Sequence, residues 1–434
     1  MGKRYNTRTV EDVSMFFKEF PLPTEPKIPS FSVKITDFGA KENQLCTDAI
    51  DAAFDCVASH GGGRVVVPAG EWLCGRICLR SNTELHFEDG AHVTFSTSPE
   101  HYLPAVFTVY EGIRCYNYSP LIYGKDLCNV AITGRGILEG GGEFWWTWAK
   151  NLTARDILYS GVLPLEKRIF ATPEYGLRPM FLQIINSDNV LIEGITLNNS
   201  PCWTVHPVWC RNVIVRGVTI ENPTVSPNTD GVNIESCNRA LVEDCTVVTT
   251  GDDMFCLKAG RNEDAWEVGI PCENVVIRNC RSLGKSTSGG VVIGSEMSAG
   301  VRNVLAHDCH FADNVNCIRL KAKDGRGGVV ENISFRNISL ERGDRGINLS
   351  FRYSCEANDA PKEPGKHMPA FRNISFSSIK CDNVGIGISL HGVEGGEMSG
   401  IYFKDIDMSG ETCMTSDSVD GIFMERVHLR QITK

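Results

Sequence analysis

The feature that most limits this chain is a recurring asparagine followed by alternating β-branched residues. It occurs as Asn129-Val130-Ala131-Ile132, Asn189-Val190-Leu191-Ile192, Asn212-Val213-Ile214-Val215 and Asn274-Val275-Val276-Ile277. It continues as Asn303-Val304-Leu305, Asn332-Ile333-Ser334-Phe335 and Asn373-Ile374-Ser375-Phe376. The steps from 189 to 212, 274 to 303 and 303 to 332 are 23, 29 and 29 residues. A unit of that length holds two or three short strands and their turns, and buries its apolar face only against a neighbouring copy. No second helical period of comparable length separates the units, which argues against βαβ folds. The pattern predicts an all-β right-handed parallel β-helix, with the asparagines stacked on one corner and each amide bonded to the next.

The repeat overrides the usual expectation that 434 residues divide into two or three domains. Residues 31–434 read as a single β-helix, preceded by an extension over 1–30 that Pro21, Pro23, Pro26 and Pro29 close. Phe31-Ser32-Val33-Lys34-Ile35 alternates like a first strand, and Arg64-Val65-Val66-Val67 opens the β region. Between them Ile50, Ala53, Phe54 and Val57 fall at helical spacing, with Thr47 as N-cap and Gly61-Gly62-Gly63 as the stop. A short amphipathic helix there suits the open end of a solenoid. Insertions near 139–180 and 350–370 interrupt the repeat and read as loops on one face. The first carries Trp145, Trp146 and Trp148, which either stack on sugars or anchor the loop to the body.

Hydrophobic content of 42% and charged content of 22% are those of a soluble globular chain, and no run of 18 apolar residues marks a membrane helix. A net charge of −10 argues against nucleic acid as partner, so a polyanionic substrate must be held by local Arg and Lys. Eighteen cysteines, scattered through strand-like runs at Cys202, Cys245, Cys256, Cys280 and Cys309, read as buried thiols. None has zinc-site spacing, and no cofactor is implied. The first residues carry no apolar stretch behind their basic ones, so the expectation is a cytoplasmic protein, or a secreted or periplasmic one if a signal was removed. Nothing in the sequence sets the oligomeric state.

The chemistry concentrates in Asn228-Thr229-Asp230-Gly231 and Gly251-Asp252-Asp253. Asp230 and Asp252 are 22 positions apart, close to one coil, so they fall on neighbouring rungs about 4.8 Å apart. Asn-Thr-Asp-Gly alone is a good turn, and Asp230 alone would be read as a turn residue. Three clustered aspartates, however, can supply the acid and the base of glycoside hydrolysis, their repulsion raising the pKa of one. Arg319 and Lys321, two apart on a strand, face the same way and suit a sugar carboxylate.

Asn228-Thr229-Asp230, Gly251-Asp252-Asp253 and Arg319-Leu320-Lys321, in that order, resemble three of the four motifs of the glycoside hydrolase family 28 polygalacturonases. The likeness runs from about Phe38-Gly39-Ala40 through Gly294-Ser295-Glu296-Met297 and Gly325-Arg326-Gly327-Gly328 to roughly residue 400. It implies an inverting pectin-degrading hydrolase with a right-handed parallel β-helix. Asp252 would be the general acid, Asp230 and Asp253 would position and deprotonate the water, and Arg319 and Lys321 would hold the substrate. Asn228, Lys258 and His206 are further candidates for binding it. The fourth motif, Gly-His-Gly, is changed: Thr287-Ser288-Gly289-Gly290 puts Ser288 where the histidine belongs. Ser288 can bond a hydroxyl but does not titrate near neutrality.

The stretch Glu111-Gly112-Ile113-Arg114-Cys115-Tyr116-Asn117-Tyr118-Ser119-Pro120 resembles the exo-acting bacterial members. The leading expectation is therefore an exo-polygalacturonase acting on pectic oligosaccharides. Ser288 keeps a hydrolase of rhamnogalacturonan or substituted galacturonan open beside it. A calcium-dependent pectate lyase and a non-catalytic carbohydrate-binding β-helix rank lower.

Overall fold

A computed structural model of the chain describes residues 20–150, 152–172, 176–354 and 360–433. Residues 1–19 of the N-terminal extension, and parts of both insertions, lie outside them. The chain winds as a right-handed parallel β-helix with three strands to a coil. Leu182–Ile185, Asp188–Glu193 and Thr196–Asn198 make one coil, and Val205–Val208, Arg211–Arg216 and Thr219–Glu221 stack on it in parallel register. Val232–Glu235, Asn238–Glu243 and Thr246–Thr249 follow. From Val301 the corners tighten, and four successive coils each become one ladder of 21 or 22 residues, as in Val301–Lys321 and Val329–Ser350, before a last strand of 12, Asp420–Gln431.

The apolar residue after each asparagine points into the bore. Val190, Val213, Val275, Val304, Ile333 and Ile374 are fully buried in one continuous core. The asparagines occupy the corner just before it, at positive φ: 54° at Asn129, 57° at Asn189, 56° at Asn212, 59° at Asn274 and 56° at Asn303. Asparagine tolerates that left-handed region better than other residues with a side chain. Its amide then reaches its neighbour on the preceding coil, with Nδ2–Oδ1 distances of 2.9 Å from Asn129 to Asn82, 2.9 Å from Asn189 to Asn129 and 3.0 Å from Asn212 to Asn189. On the next coil Arg239 takes the corner, and Asn274 bonds to Asn238 instead, at 3.1 Å. Glycines Gly400 and Gly421 take the same corner in the last coils, again at positive φ.

Helix α1 (Thr47–Ser59) covers the first coil with buried Ile50, Ala53, Phe54 and Val57. Its N-cap is Cys46, one residue before the expected Thr47, whose hydroxyl instead accepts the Gly75 N–H at 2.8 Å. The described part of the extension is pinned to the coil exterior. Phe20 packs on Leu241, Val276 and Leu305, Ile28 on Ala131, Leu191 and Ile214, and Glu25 pairs with Arg216 at 2.7 Å.

A hairpin and the first insertion pack together on one side. Val106–Tyr110 and Ile113–Asn117 form an antiparallel hairpin with Glu111-Gly112 at its tip. The first loop contains α2 (Gly142–Trp146) and α3 (Leu152–Ser160), and α4 (Asn262–Val268) follows a later strand. Hairpin and α3 share their own apolar core, including Tyr110, Ile113, Leu158 and Trp203. The loop tryptophans are anchors. Trp145 is fully buried against Tyr102 and Trp148, and the Trp146 indole N–H donates to the Ser200 carbonyl at 2.8 Å. All described cysteines are free thiols and most are buried. No described helix is long and apolar enough to cross a membrane.

Candidate active site

The β-strand period decides what reaches the site. Along Val232–Glu235 and Phe255–Lys258 the residues Val232, Ile234, Phe255 and Leu257 enter the core. Their alternates therefore face outward. Register stacks Glu235 beside Lys258, and His206 lies one coil before Asn233 and two before Cys256. The turns just before these strands carry Trp203, Asp230 and Asp253 on successive coils, and two close backbone approaches hold them. A side chain at Gly231 would meet the Met254 carbonyl at 2.5 Å, and one at Gly251 the Ser226 carbonyl at 1.8 Å. Gly231 N–H donates to the Asp253 carbonyl at 2.9 Å, and Asp253 N–H to Asp252 Oδ1 at 2.9 Å.

These turns bring Asp230, Asp252 and Asp253 into one open pocket with Asn228, Lys258 and Lys321. Asp230 and Asp253 are buried and Asp252 is half-buried, with carboxylate oxygens of the first two within 4.8 Å of each other. Two lysines divide the charge. Lys321 Nζ lies 2.7 Å from Asp253 Oδ2, and Lys258 Nζ lies 3.3 Å from Asp230 and 3.0 Å from Glu296.

The three carboxyls therefore part in acidity. Burial pushes Asp253 up, but Lys321, Lys258 and Arg319 outweigh it and hold it below its ordinary value. Burial, with the neighbouring Asp253 charge, pushes Asp252 up against both lysines. Burial raises Asp230 well above its ordinary value; Lys258 opposes the rise, and Asp252 and Asp253 add to it. The site thus sets Asp253, held below its ordinary value, beside two carboxyls raised above theirs, the kind of split that acid–base hydrolysis uses.

Ser288 sits beneath the site rather than in it. Its hydroxyl donates to Asp253 Oδ1 and accepts from the Arg319 guanidinium at 3.1 Å. Arg319 and Lys321 flank Tyr353, at 5.5 and 5.1 Å from its ring centre. Asn228 is fixed by Arg178, whose guanidinium donates to its amide oxygen at 2.8 Å.

His206 is not brought to the pocket. It faces outward with the right parity, but the hairpin covers it: Gln183 Nε2 donates to the Val109 carbonyl at 2.8 Å and meets His206 Nδ1 at 2.8 Å. Its Nε2 lies 2.7 Å from Glu235, and the ring is fully buried. Burial lowers its pKa despite Glu235. This makes it a structural histidine, a correction to its expected place among binding residues.

Sequence reasoning did not single out Glu111, Arg155, Trp203, Arg261, Glu296 and Tyr353 as pocket residues. Trp203 forms part of the lining, with the Lys258 ammonium 4.3 Å from its ring centre. Glu111 comes from the hairpin tip and Arg155 from α3. Glu111 opens the stretch that resembles the exo-acting members, but its place in the pocket, like that of Arg155, comes from the docking of inserted elements.

The model for Glycosyl hydrolases family 28 matches residues 168–425, which contain every one of the aspartates and lysines above. The chain belongs to glycosyl hydrolases family 28. A probable polygalacturonase of Vitis vinifera is 31% identical over 386 residues, covering 86% of this chain and 74% of that one. Among solved structures, a hyperthermoactive exopolygalacturonase from Thermotoga maritima superposes with a TM-score of 0.84 at 35% identity, over 94% of each chain. An exo-poly-alpha-D-galacturonosidase of Dickeya chrysanthemi is 25% identical, covering 86% of this chain and 65% of that one. This family 28 chain is a glycoside hydrolase, and its pocket carries the acidic groups such an enzyme needs.

Proposed function

We propose that this family 28 hydrolase removes galacturonate from the ends of pectic oligosaccharides with inversion. The observation that carries the reading is the split among the three aspartates, with Lys321 and Ser288 on Asp253 and no lysine in ion-pair contact with Asp252 among the described residues. Asp252 keeps its proton and delivers it to the bridging oxygen. Asp253 deprotonates a water on the opposite face of the sugar, and Asp230 beside it orients that water. Arg319 and Lys321, on the Tyr353 side, supply the cations for a uronate carboxylate.

End-wise action is supported by the wall that the hairpin and α3 raise beside the carboxylates, and by the names of the Thermotoga and Dickeya relatives. Ser288 gives no reason to prefer rhamnogalacturonan, because its hydroxyl is committed to Asp253 and Arg319.

The test is incubation with oligogalacturonates, with and without EDTA, followed by chromatography of the products. The expected result is saturated galacturonate released one unit at a time, unaffected by EDTA and lost in Asp252→Asn. Product absorbing at 235 nm would mean lyase chemistry, and absence of any product would sink the hydrolase reading for this substrate.

A further inference from the structure

The pocket lining holds a buried carboxylate, Glu111, that the reaction does not use. Glu111 sits at the hairpin tip with φ of 45° and is 5% exposed. Its Oε2 accepts hydrogen bonds from Arg155 at 3.1 Å and from the Tyr159 hydroxyl, both on α3. Glu111 lines the pocket, and its Oε1 is buried with no hydrogen-bond partner among the described residues. An ionised carboxylate oxygen left without a donor is costly unless something arrives to donate to it. Burial pushes Glu111 up, yet Arg155, Arg261 and Tyr159 outweigh it and keep it ionised.

The tip has little room to move. The Arg261 N–H donates to the Gly112 carbonyl at 3.0 Å, and Arg114 clasps Asp264 of α4 through Nε at 3.0 Å and Nη2 at 3.2 Å. Arg168 grips the same carboxylate at 2.6 Å. A rigidly held acceptor in the lining of a sugar site suits a hydroxyl.

We propose that Glu111 is a chain-end reader: its free Oε1 accepts the C4 hydroxyl of the non-reducing terminal sugar, a group that exists only where a 1,4-linked chain ends. An internal residue carries a bridging oxygen at C4, which has no proton to give, and the sugar beyond it would run into the hairpin tip. The polarity comes from burial. Asp230 and Asp253, which handle the water, are buried, whereas the acid Asp252 in the same pocket is partly exposed. The sugar attacked by water therefore occupies the enclosed side and the leaving group departs through the open one. This inference rests on the hydrolase reading above and extends it to a single specificity residue.

The experiment compares kcat/KM for trigalacturonate with that for the same trimer bearing a 4-deoxy terminal residue. The wild-type enzyme is expected to favour the intact trimer by about 10²-fold or more, since a site built around a hydroxyl rejects its deoxy analogue. Glu111→Gln, which keeps the shape, should narrow that preference, and Glu111→Ala should reduce it to about threefold or less by slowing the intact trimer alone. An unchanged preference in both variants would overturn the proposal. So would abolition of turnover on both trimers in Glu111→Gln, which would place the residue in the reaction or the fold. Failure of the wild-type enzyme to cleave the intact trimer would instead remove the hydrolase reading itself.

Discussion

The same coils carry two polar columns that behave in opposite ways. On one corner Asn129, Asn189 and Asn212 stack with donor on acceptor at 2.9–3.0 Å, and every added coil lengthens a satisfied ladder. On another, Asp230 and Asp253 stack with oxygens within 4.8 Å, and stacking sets charge against charge. The geometry is nearly the same, and the difference lies in the side chain. An amide offers both donor and acceptor, whereas an ionised carboxylate offers only acceptors. The aspartate column therefore needs Lys258 and Lys321, and it settles with unequal proton affinities. A column that costs stability is the one that can move a proton.

The largest expected effect comes from making the charged column more like the neutral one. Asp252→Asn replaces a carboxyl whose pKa burial and Asp253 raise. Turnover should fall by about 10²–10⁴-fold, measured by product release from oligogalacturonates. Stability should move in the other direction as pH rises. Because the folded state raises the pKa of Asp252, its contribution to stability is full below the unfolded pKa and is lost as pH rises through the folded value. Urea denaturation should show that loss in the wild type and a flatter profile in the variant. An equally steep profile in both would mean that Asp252 ionises as freely folded as unfolded.

How much of this contrast is legible in the sequence depends on how local each column is. The asparagine corner repeats, and Asn189 and Asn303 are marked by the alternating apolar residues directly after them. The aspartates sit in Gly-rich turns one coil apart, so spacing alone places Asp230, Asp252 and Asp253 together. Glu111 cannot be found that way. Its position depends on Arg155 and Arg261, which belong to the nine-residue α3 and the N-cap of the seven-residue α4, elements too short to show a period. His206 fails for the converse reason. Its register is right, but the hairpin that buries it comes from far upstream. Arg239 likewise breaks the corner pattern, and only the folded coil brings Asn238 into position to take over the bond.

A second break removes the counter-charge. Lys321→Met keeps the aliphatic stem of Lys321 but leaves Asp253 buried without its 2.7 Å partner. Uncompensated burial of that kind costs about 3–5 kcal/mol. The sign with pH separates it from simple loss of packing. Asp253 has a depressed pKa, so its pairing stabilises the fold above the unfolded pKa and is lost as pH falls through the folded value. The deficit of Lys321→Met against wild type, read from denaturation midpoints, should therefore shrink on acidification. A deficit that stays constant down to low pH would assign the cost to packing.

The smallest effect tests the neutral column and divides its two components. Asn189 donates to Asn129 at 2.9 Å and accepts from Asn212 at 3.0 Å, with φ of 57°. Asn189→Gly keeps the left-handed backbone at ease but deletes both bonds, each worth about 1 kcal/mol net. Asn189→Ala deletes the same bonds and adds about 1 kcal/mol of backbone strain. Denaturation should therefore rank wild type above Gly above Ala, with the Gly–Ala gap near half the wild-type–Gly gap. The last coils already run without the amide, since Gly400 and Gly421 hold the same corner. Equal stability of the Gly variant and the wild type would mean that the corner needs only its backbone shape. Activity should stay unchanged in both variants, because the asparagine ladder lies on a different corner from the carboxylates and shares no hydrogen bond with them.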